Sequence, residues 1–307
     1  DQNMTTNWQS LFDSWAKPPS DTEIDERDHT EKQVKNALQA WPALARRNFR
    51  VFVKGSYWRA TNVRRGADVD LAVELLGVAP MDQAFVVTKE FKAKGLTDAE
   101  LNLTDAPPEY SRARATFKDD CLDALVDAFG PTMVERHNKC ITVSEKSTTL
   151  PADVVPCTTH RRYDSRSVSS DGIQITPDHG PSIINWPQQD RDNGIAKNAR
   201  TSRRYKRVVR GLKALEDLMA ESGSPETPSW LVECLVYNVP DEVFDSSSNH
   251  INALTTLLWL HENLASTSGR GDWLEVNELK YLFTVSQPWS TQEASDFVAR
   301  AMRLLTS

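Results

Sequence analysis

Residues 68–75, Asp-Val-Asp-Leu-Ala-Val-Glu-Leu, alternate with period two, and this octet constrains the fold more than any other stretch of the chain. In an extended segment Asp68, Asp70, Ala72 and Glu74 fall on one side, and Val69, Leu71, Val73 and Leu75 on the other. The apolar row needs a core to cover it, and the two aspartates share one face of one strand. Upstream, Phe49-Arg50-Val51-Phe52-Val53 is β-branched and aromatic and reads as a second strand, running into a turn at Lys54-Gly55-Ser56.

The rest of the chain sorts into strands first and helices afterwards. Trp8, Leu11, Phe12 and Trp15, then Val34, Ala37, Leu38 and Trp41, recur at helical spacing on either side of the polar turn Pro18-Pro19-Ser20-Asp21-Thr22. Pro108 opens a helix expected to run through Ala128 and to stop at Gly130-Pro131. Strands are expected at about 139–143 and 149–156, the second of which, Leu150 to Pro156, carries Asp153 as a lone acid. The stretch around Asp171 and Pro177-Asp178-His179-Gly180-Pro181 reads as an irregular loop over the substrate. Helices follow at Lys197–Lys213, 228–238, 250–265 and 291–305. This order implies an α+β lobe, a helical lobe and a cleft between them. The expected division is 1–48 for an N-terminal helical segment spanning both lobes, 49–165 for the catalytic core and 166–307 for the helical lobe.

Composition removes several function classes. No apolar run approaches the roughly 18 residues of a membrane span, and the opening segment lacks the basic and apolar regions of a secretory signal. Cys121, Cys140, Cys157 and Cys234 lie far apart, which indicates neither a zinc knuckle nor a disulfide framework and fits a cytoplasmic location. A formal net charge of -7 argues against coating long nucleic acid, so a nucleotide ligand should be small and held in a local basic pocket.

Nucleotidyl transfer needs two divalent cations roughly 3.5–4 Å apart, one activating the attacking hydroxyl and one neutralising the leaving triphosphate. Such ions want oxygen ligands. Two aspartates one residue apart on a strand lie within ~7 Å of each other at the backbone and can bridge both ions. Asp153 is the candidate third ligand, because an acid on a core-forming strand is otherwise costly to bury. Gly55 lets the backbone approach a phosphate, Ser56 adds a hydroxyl donor, and Arg59, Arg64 and Arg65 stand between turn and acids, where they could offset triphosphate charge. A lone Asp-x-Asp is ordinarily a solvated strand face. Joined to Gly55-Ser56 twelve residues before it and an isolated acid on a later strand, it points to chemistry.

These residues resemble the polymerase-β-like nucleotidyltransferase superfamily, whose Gly-Ser turn, acid-x-acid strand and third acid match Gly55-Ser56, Asp68-Val69-Asp70 and Asp153. The segments Lys54–Thr61, Gly66–Leu71 and Asp153–Pro156 look like the bacterial CD-NTases, relatives of cyclic GMP-AMP synthase and oligoadenylate synthase. Ile184–Gln189, Asn193-Gly194, Tyr205–Arg210 and Pro228–Leu235 are similar to clade E of that family. The resemblance implies a mixed-sheet catalytic lobe, a helical lobe, and synthesis of a cyclic di- or trinucleotide from NTPs with two Mg²⁺ ions, Mn²⁺ being an alternative. ATP leads the substrates it implies, with GTP and UTP as others. It also implies anti-phage signalling through a separate effector, and contacts from Lys206 and Ser229 to the donor triphosphate. Their bland readings are a solvated helical lysine and an N-cap.

Some clade E enzymes select uracil with an asparagine soon after the third acid. Thr158 to Ser167 holds none, which tilts the expectation toward purines, with Tyr163 a candidate base platform and His160 a candidate general base. Trp58, Trp186 and Trp230 read as packing residues, and Arg200–Arg207 as one basic helical face. The competing functions are nucleotidyl transfer to another acceptor, such as an RNA 3′ end, an antibiotic or a protein, and nucleotide sensing without catalysis.

Overall fold

The polar turn at 18–22 starts the first long helix in the manner its residues dictate. Ser20 caps the helix by accepting from the Glu23 N–H while Glu23 accepts from the Ser20 N–H, satisfying two otherwise orphaned donors. The structure is a computed structural model and describes residues 6–63, 68–76, 81–83, 108–145, 150–165, 168–265 and 270–306. Among the described residues, Ser20–Trp58 and those from Asp68 to Gln188 form a sheet unit. Those before Ser20, Arg59 to Val63, and Gln189 onward form a helical unit.

The sheet unit comprises α2 (Asp21–Ala40), α3 (Pro42–Ala45), β1 (Phe49–Val53), α4 (Gly55–Arg59, whose last residue groups with the helical unit), β2 (Val69–Leu75), β3 (Met81–Gln83), α5 (Pro108–Phe129), β4 (Val134–Arg136), β5 (Ile141–Val143), β6 (Ala152–Tyr163), β7 (Ser169–Ile175) and β8 (Ile183–Asn185). The long β6 is central. On one side it pairs in parallel with β2 and then β3; on the other it pairs antiparallel with β5 and then β7. Strand β1 adds antiparallel to β2, β4 to β5 and β8 to β7.

Period two then divides the residues between two cores. Val69, Leu71, Val73, Leu75 and Val154 pack with Val34 and Leu38 of α2 and Phe117, Cys121 and Leu125 of α5. Each such fully buried aliphatic side chain contributes about 1.5–3 kcal/mol. The opposite row contains Ala72, Val155, Cys157, Ile173 and Ile175 in a smaller cluster. Asp68, Asp70 and Asp153 fall on this second side.

The helical unit comprises α1 (Trp8–Trp15), α6 (Pro187–Arg200, which begins two residues earlier in the sheet unit), α7 (Tyr205–Glu221), α8 (Ser229–Asn238), α9 (Asn249–Leu264) and α10 (Thr291–Thr306). Its core joins Val208, Leu212 and Leu215 of α7 to Leu257 and Leu260 of α9 and Phe297 and Ala301 of α10. Phe12 of α1 lies so close to Gly211 that a Cβ there would stand 2.7 Å from its ring. Among the described residues no helix is long and apolar enough to cross a membrane.

Three sequence expectations change. The sheet runs past the expected core boundary at 165, because β7 and β8 continue it and the units divide at Gln188/Gln189. Asp171 lies in β7 rather than in a loop, while 176–182 is irregular. The basic run from Lys197 is two helices, not one, since Ser202 and Arg203 turn the chain with φ of 51° and 65°.

Candidate active site

Strand register builds the centre of the site. Asp70 of β2 lies opposite Asp153 of β6, and Asp153 lies opposite Thr142 of β5. One step past the last pair of β1 and β2, the Lys54 N–H donates to the Asp70 carbonyl at 2.8 Å. Lys54, Asp70, Asp153 and Thr142 therefore form one row across four chain segments. Lys54 Nζ stands 3.2 Å from Asp70 Oδ1, and the Thr142 hydroxyl donates to Asp153 Oδ1 at 2.6 Å.

Asp68, exposed just before β2, lies near enough to Asp153 and Asp70 to feel both charges. Its carboxyl is raised above the ordinary aspartate value, first by partial loss of hydration against the sheet and then by the charges of Asp153 and Asp70. Cys140, two residues before Thr142, stays a neutral thiol: burial, then the nearby Asp153 charge, pushes it up to about 11.

Gly55 is required twice over. Its φ of +69° lies in the left-handed region, and a Cβ would come 1.9 Å from Asp70 Oδ2. The expected turn is the first turn of α4, where backbone N–H groups lack intrahelical acceptors. Ser56 is half-buried, and its hydroxyl has no hydrogen-bond partner among the described residues.

Hard oxygen donors, a glycine cradle and an ammonium already drawn to Asp70 make this set chemically suited to Mg²⁺. Among the described residues no three acidic, His or Cys side chains converge tightly enough to hold an ion by themselves. Mg²⁺ does not need that, since it usually takes one or two carboxylates and completes its shell with water and substrate phosphates. Asp68, Asp70 and Asp153 fit that manner of binding.

The other candidates divide sharply. Arg59 is not available for a triphosphate: buried, it pairs with Glu233 at 2.8 Å and lies 4.3 Å over the Trp230 ring. Arg64 and Arg65 lie outside the described residues. Lys206, 9% exposed, has no side-chain partner among the described residues, and burial lowers its ammonium to about 8. Ser229 is exposed at the first residue of α8; Pro228 holds the N-cap position, so the serine is not a cap. Both residues belong to the helical unit. Arg200 pairs with Asp241 at 2.6 Å, so part of the basic run is internally neutralised.

Strand alternation also sorts the stretch after Asp153. Thr159, Arg161 and Tyr163 share its face, whereas Thr158 and His160 face the other way. Thr159 is held by Glu74 at 2.5 Å, Arg161 pairs with Asp171, and Tyr163 is buried. His160 is a buried packing residue, edge-to-face with Trp186 at 5.4 Å, and not a general base. Trp58, Trp186 and Trp230 all pack. Arg166 and Ser167, at the end of this stretch, lie outside the described residues.

A cavity of about 230 Å³ lies on the reverse face of the sheet, lined by Arg114, Lys118, Arg136, Thr158, Gln174 and Asp178 among others. Lys118 and Arg136 are already bound to Asp178 at 3.0 and 2.7 Å. This cavity is separate from the acids.

Comparison with known proteins identifies the ensemble. A family model for the C-terminal helical domain of cGAS/DncV-like nucleotidyltransferases matches residues 192–306. The cyclic dipyrimidine nucleotide synthase of Legionella pneumophila is 35% identical over 97% of this chain and 98% of its own length. The chain belongs to the bacterial CD-NTase family, in its clade E. Another relative, the cyclic dipurine nucleotide synthase of Elizabethkingia meningoseptica, is 32% identical over 98% of this chain and 99% of its own. The structure of an Elizabethkingia meningoseptica CdnE cyclic dinucleotide synthase with GTP and Apcpp superposes with a TM-score of 0.77 at 30% identity, covering 99% of this chain and 100% of that one. Members of this family are nucleotidyltransferases, and the mixed-sheet and helical regions described above are those of a CD-NTase.

Lys54 and Thr142 are the site residues that sequence reasoning missed. Lys54 was visible beside Gly55, but its pairing with Asp70 is not. Thr142 carries no sequence signal, since only the β5–β6 register brings it to Asp153.

Proposed function

We propose that this CD-NTase joins NTPs into a cyclic dinucleotide second messenger, read by a separate effector in anti-phage signalling, with Asp68, Asp70 and Asp153 as catalytic, metal-binding carboxylates. The observation that carries the reading is the row Asp70–Asp153 in strand register, with Asp68 raised beside it and Gly55 closing on Asp70. Two Mg²⁺ ions bound there would activate the acceptor 3′-hydroxyl and neutralise the leaving pyrophosphate. The carboxylates hold the acceptor hydroxyl in line with the α-phosphorus of the donor. The Ser56 hydroxyl, the Lys206 ammonium and the Ser229 hydroxyl receive the donor triphosphate; that the Ser56 hydroxyl and the buried Lys206 ammonium have no side-chain partner among the described residues supports the first two roles. A second transfer by the same three acids closes the ring.

Purine NTPs, with ATP foremost, are the proposed substrates, because the sequence Thr158 to Ser167 holds no asparagine or glutamine to read uracil. A second reading of the bases is favoured by the Legionella relative, a dipyrimidine synthase of somewhat higher identity than the dipurine synthase. Incubation with Mg²⁺ and each pair of NTPs, followed by product mass and phosphatase resistance, separates them. The expected product is cyclic, phosphatase-resistant and made of purines, with release of pyrophosphate. A uridine- or cytidine-containing ring selects the second reading. Nucleotide transferred only to an added acceptor, or binding with no pyrophosphate release, overturns cyclic synthesis.

A further inference from the structure

We propose that Thr142 is a positioning residue for Asp153, holding one carboxylate oxygen so that the other is presented to a divalent cation. The proposal rests on the metal-site reading above and concerns a residue that this reading does not use. Thr142 and Asp153 are register partners in the antiparallel pair β5–β6, and the hydroxyl donates to Oδ1 at 2.6 Å. Asp70 flanks Asp153 on the other neighbouring strand, so Asp153 is bracketed by a donor on one side and an anion on the other.

The contrast with Lys54 explains why Thr142 is the residue that matters when a cation is bound. Lys54 holds Asp70 Oδ1 through a positive charge, which a divalent ion would repel and replace. The Thr142 hydroxyl is neutral and donates a single hydrogen bond, which adds no charge next to the ion. Partners of this kind fix the orientation of ligating carboxylates, and their removal typically costs 10–100-fold in metal affinity or activity, so about that loss is expected here. Valine keeps the shape and the strand preference of threonine, so Thr142→Val removes the hydrogen bond with little disturbance of β5.

The test compares Thr142→Val, Thr142→Ser and Asp153→Asn with the unaltered chain. Mn²⁺ binding without nucleotide, read by electron paramagnetic resonance, should weaken about 10–100-fold in T142V and recover in T142S. Crystal structures should show the Asp153 carboxylate rotated in T142V and restored in T142S. With NTP, kcat should fall by a similar factor while KM changes by less than about twofold. Wild-type Mn²⁺ affinity and an unmoved Asp153 in T142V overturn the proposal, as does a T142S variant impaired equally with T142V. An Asp153→Asn variant that keeps full product formation overturns the metal-site reading and the proposal together; an inactive D153N beside a wild-type T142V overturns the proposal alone.

Discussion

Glu233 in the helical unit and Asp70 in the sheet unit are both carboxylates beside cationic side chains, yet their surroundings are opposite. Glu233 is 1% exposed and receives Arg59 at 2.8 Å, Lys213 at 2.6 Å and the Thr61 hydroxyl at 2.8 Å. Burial alone would raise its pKa, but the two cations overcome that and hold it at about 2. In the sheet unit Lys54 stands 3.2 Å from Asp70, and the charges of Asp70 and Asp153 act on Asp68. Asp70 is 34% exposed, and Asp68 is raised rather than lowered. Charge in the first place is neutralised internally; in the second, Lys54 offsets part of it at Asp70, which is open to solvent. Glu233 is thus held by cations, whereas Asp68 stands beside two other carboxylates.

Substitution breaks this comparison most severely at Glu233. Glu233→Ala leaves Arg59 and Lys213 buried without a counter-charge and should cost about 3–5 kcal/mol in denaturant unfolding. Asp153→Asn should change stability by less than about 1 kcal/mol, as a substitution at a half-exposed site outside the core. Equal losses in the two variants would erase the distinction between the two regions.

Gly55→Ala sharpens it from the side of the acids. The left-handed φ costs about 1–2 kcal/mol for a residue with a Cβ, and the methyl group must displace the Asp70 carboxylate. Product formation should therefore fall by more than the stability loss explains at a temperature where the variant remains folded. Unchanged turnover would show that Asp70 need not stand where it does.

The smallest effects are in pH dependence and have opposite signs. Glu233 has a folded pKa of about 2, below its ordinary 4.5, so its stabilising contribution is complete above the ordinary value and is lost as pH falls from about 4.5 toward 2. Glu233→Gln should flatten acid unfolding in that window. Asp68 is raised, so its ionisation works against the folded state as pH rises through its folded pKa. Asp68→Asn should give a slight rise in Tm at neutral pH and none in acid. A fall in Tm at neutral pH would contradict the repulsion among the three acids.

How far the sequence could be read follows from the range of each interaction. The strand at 69–75 and its acid face were legible because period two is a local signal, and Gly55 was legible because its conformation is local too. The fate of Arg59 was not: its partner Glu233 lies 174 residues away. Register is equally hidden, so nothing local told that Thr142 faces Asp153. Strand β7 is not legible because Ser169-Ser170-Asp171-Gly172 has weak strand preference and is recruited by pairing with β6. The break between α6 and α7 was invisible since Ser202 and Arg203, not glycines, take the positive φ.

The role of the acids in catalysis is decided by product formation from radiolabelled NTPs with Mg²⁺ in Asp68→Ala/Asp70→Ala, with circular dichroism to verify the fold. No detectable cyclic product or pyrophosphate is expected from a variant as well folded as the unaltered chain. Full activity in that double variant would contradict that role.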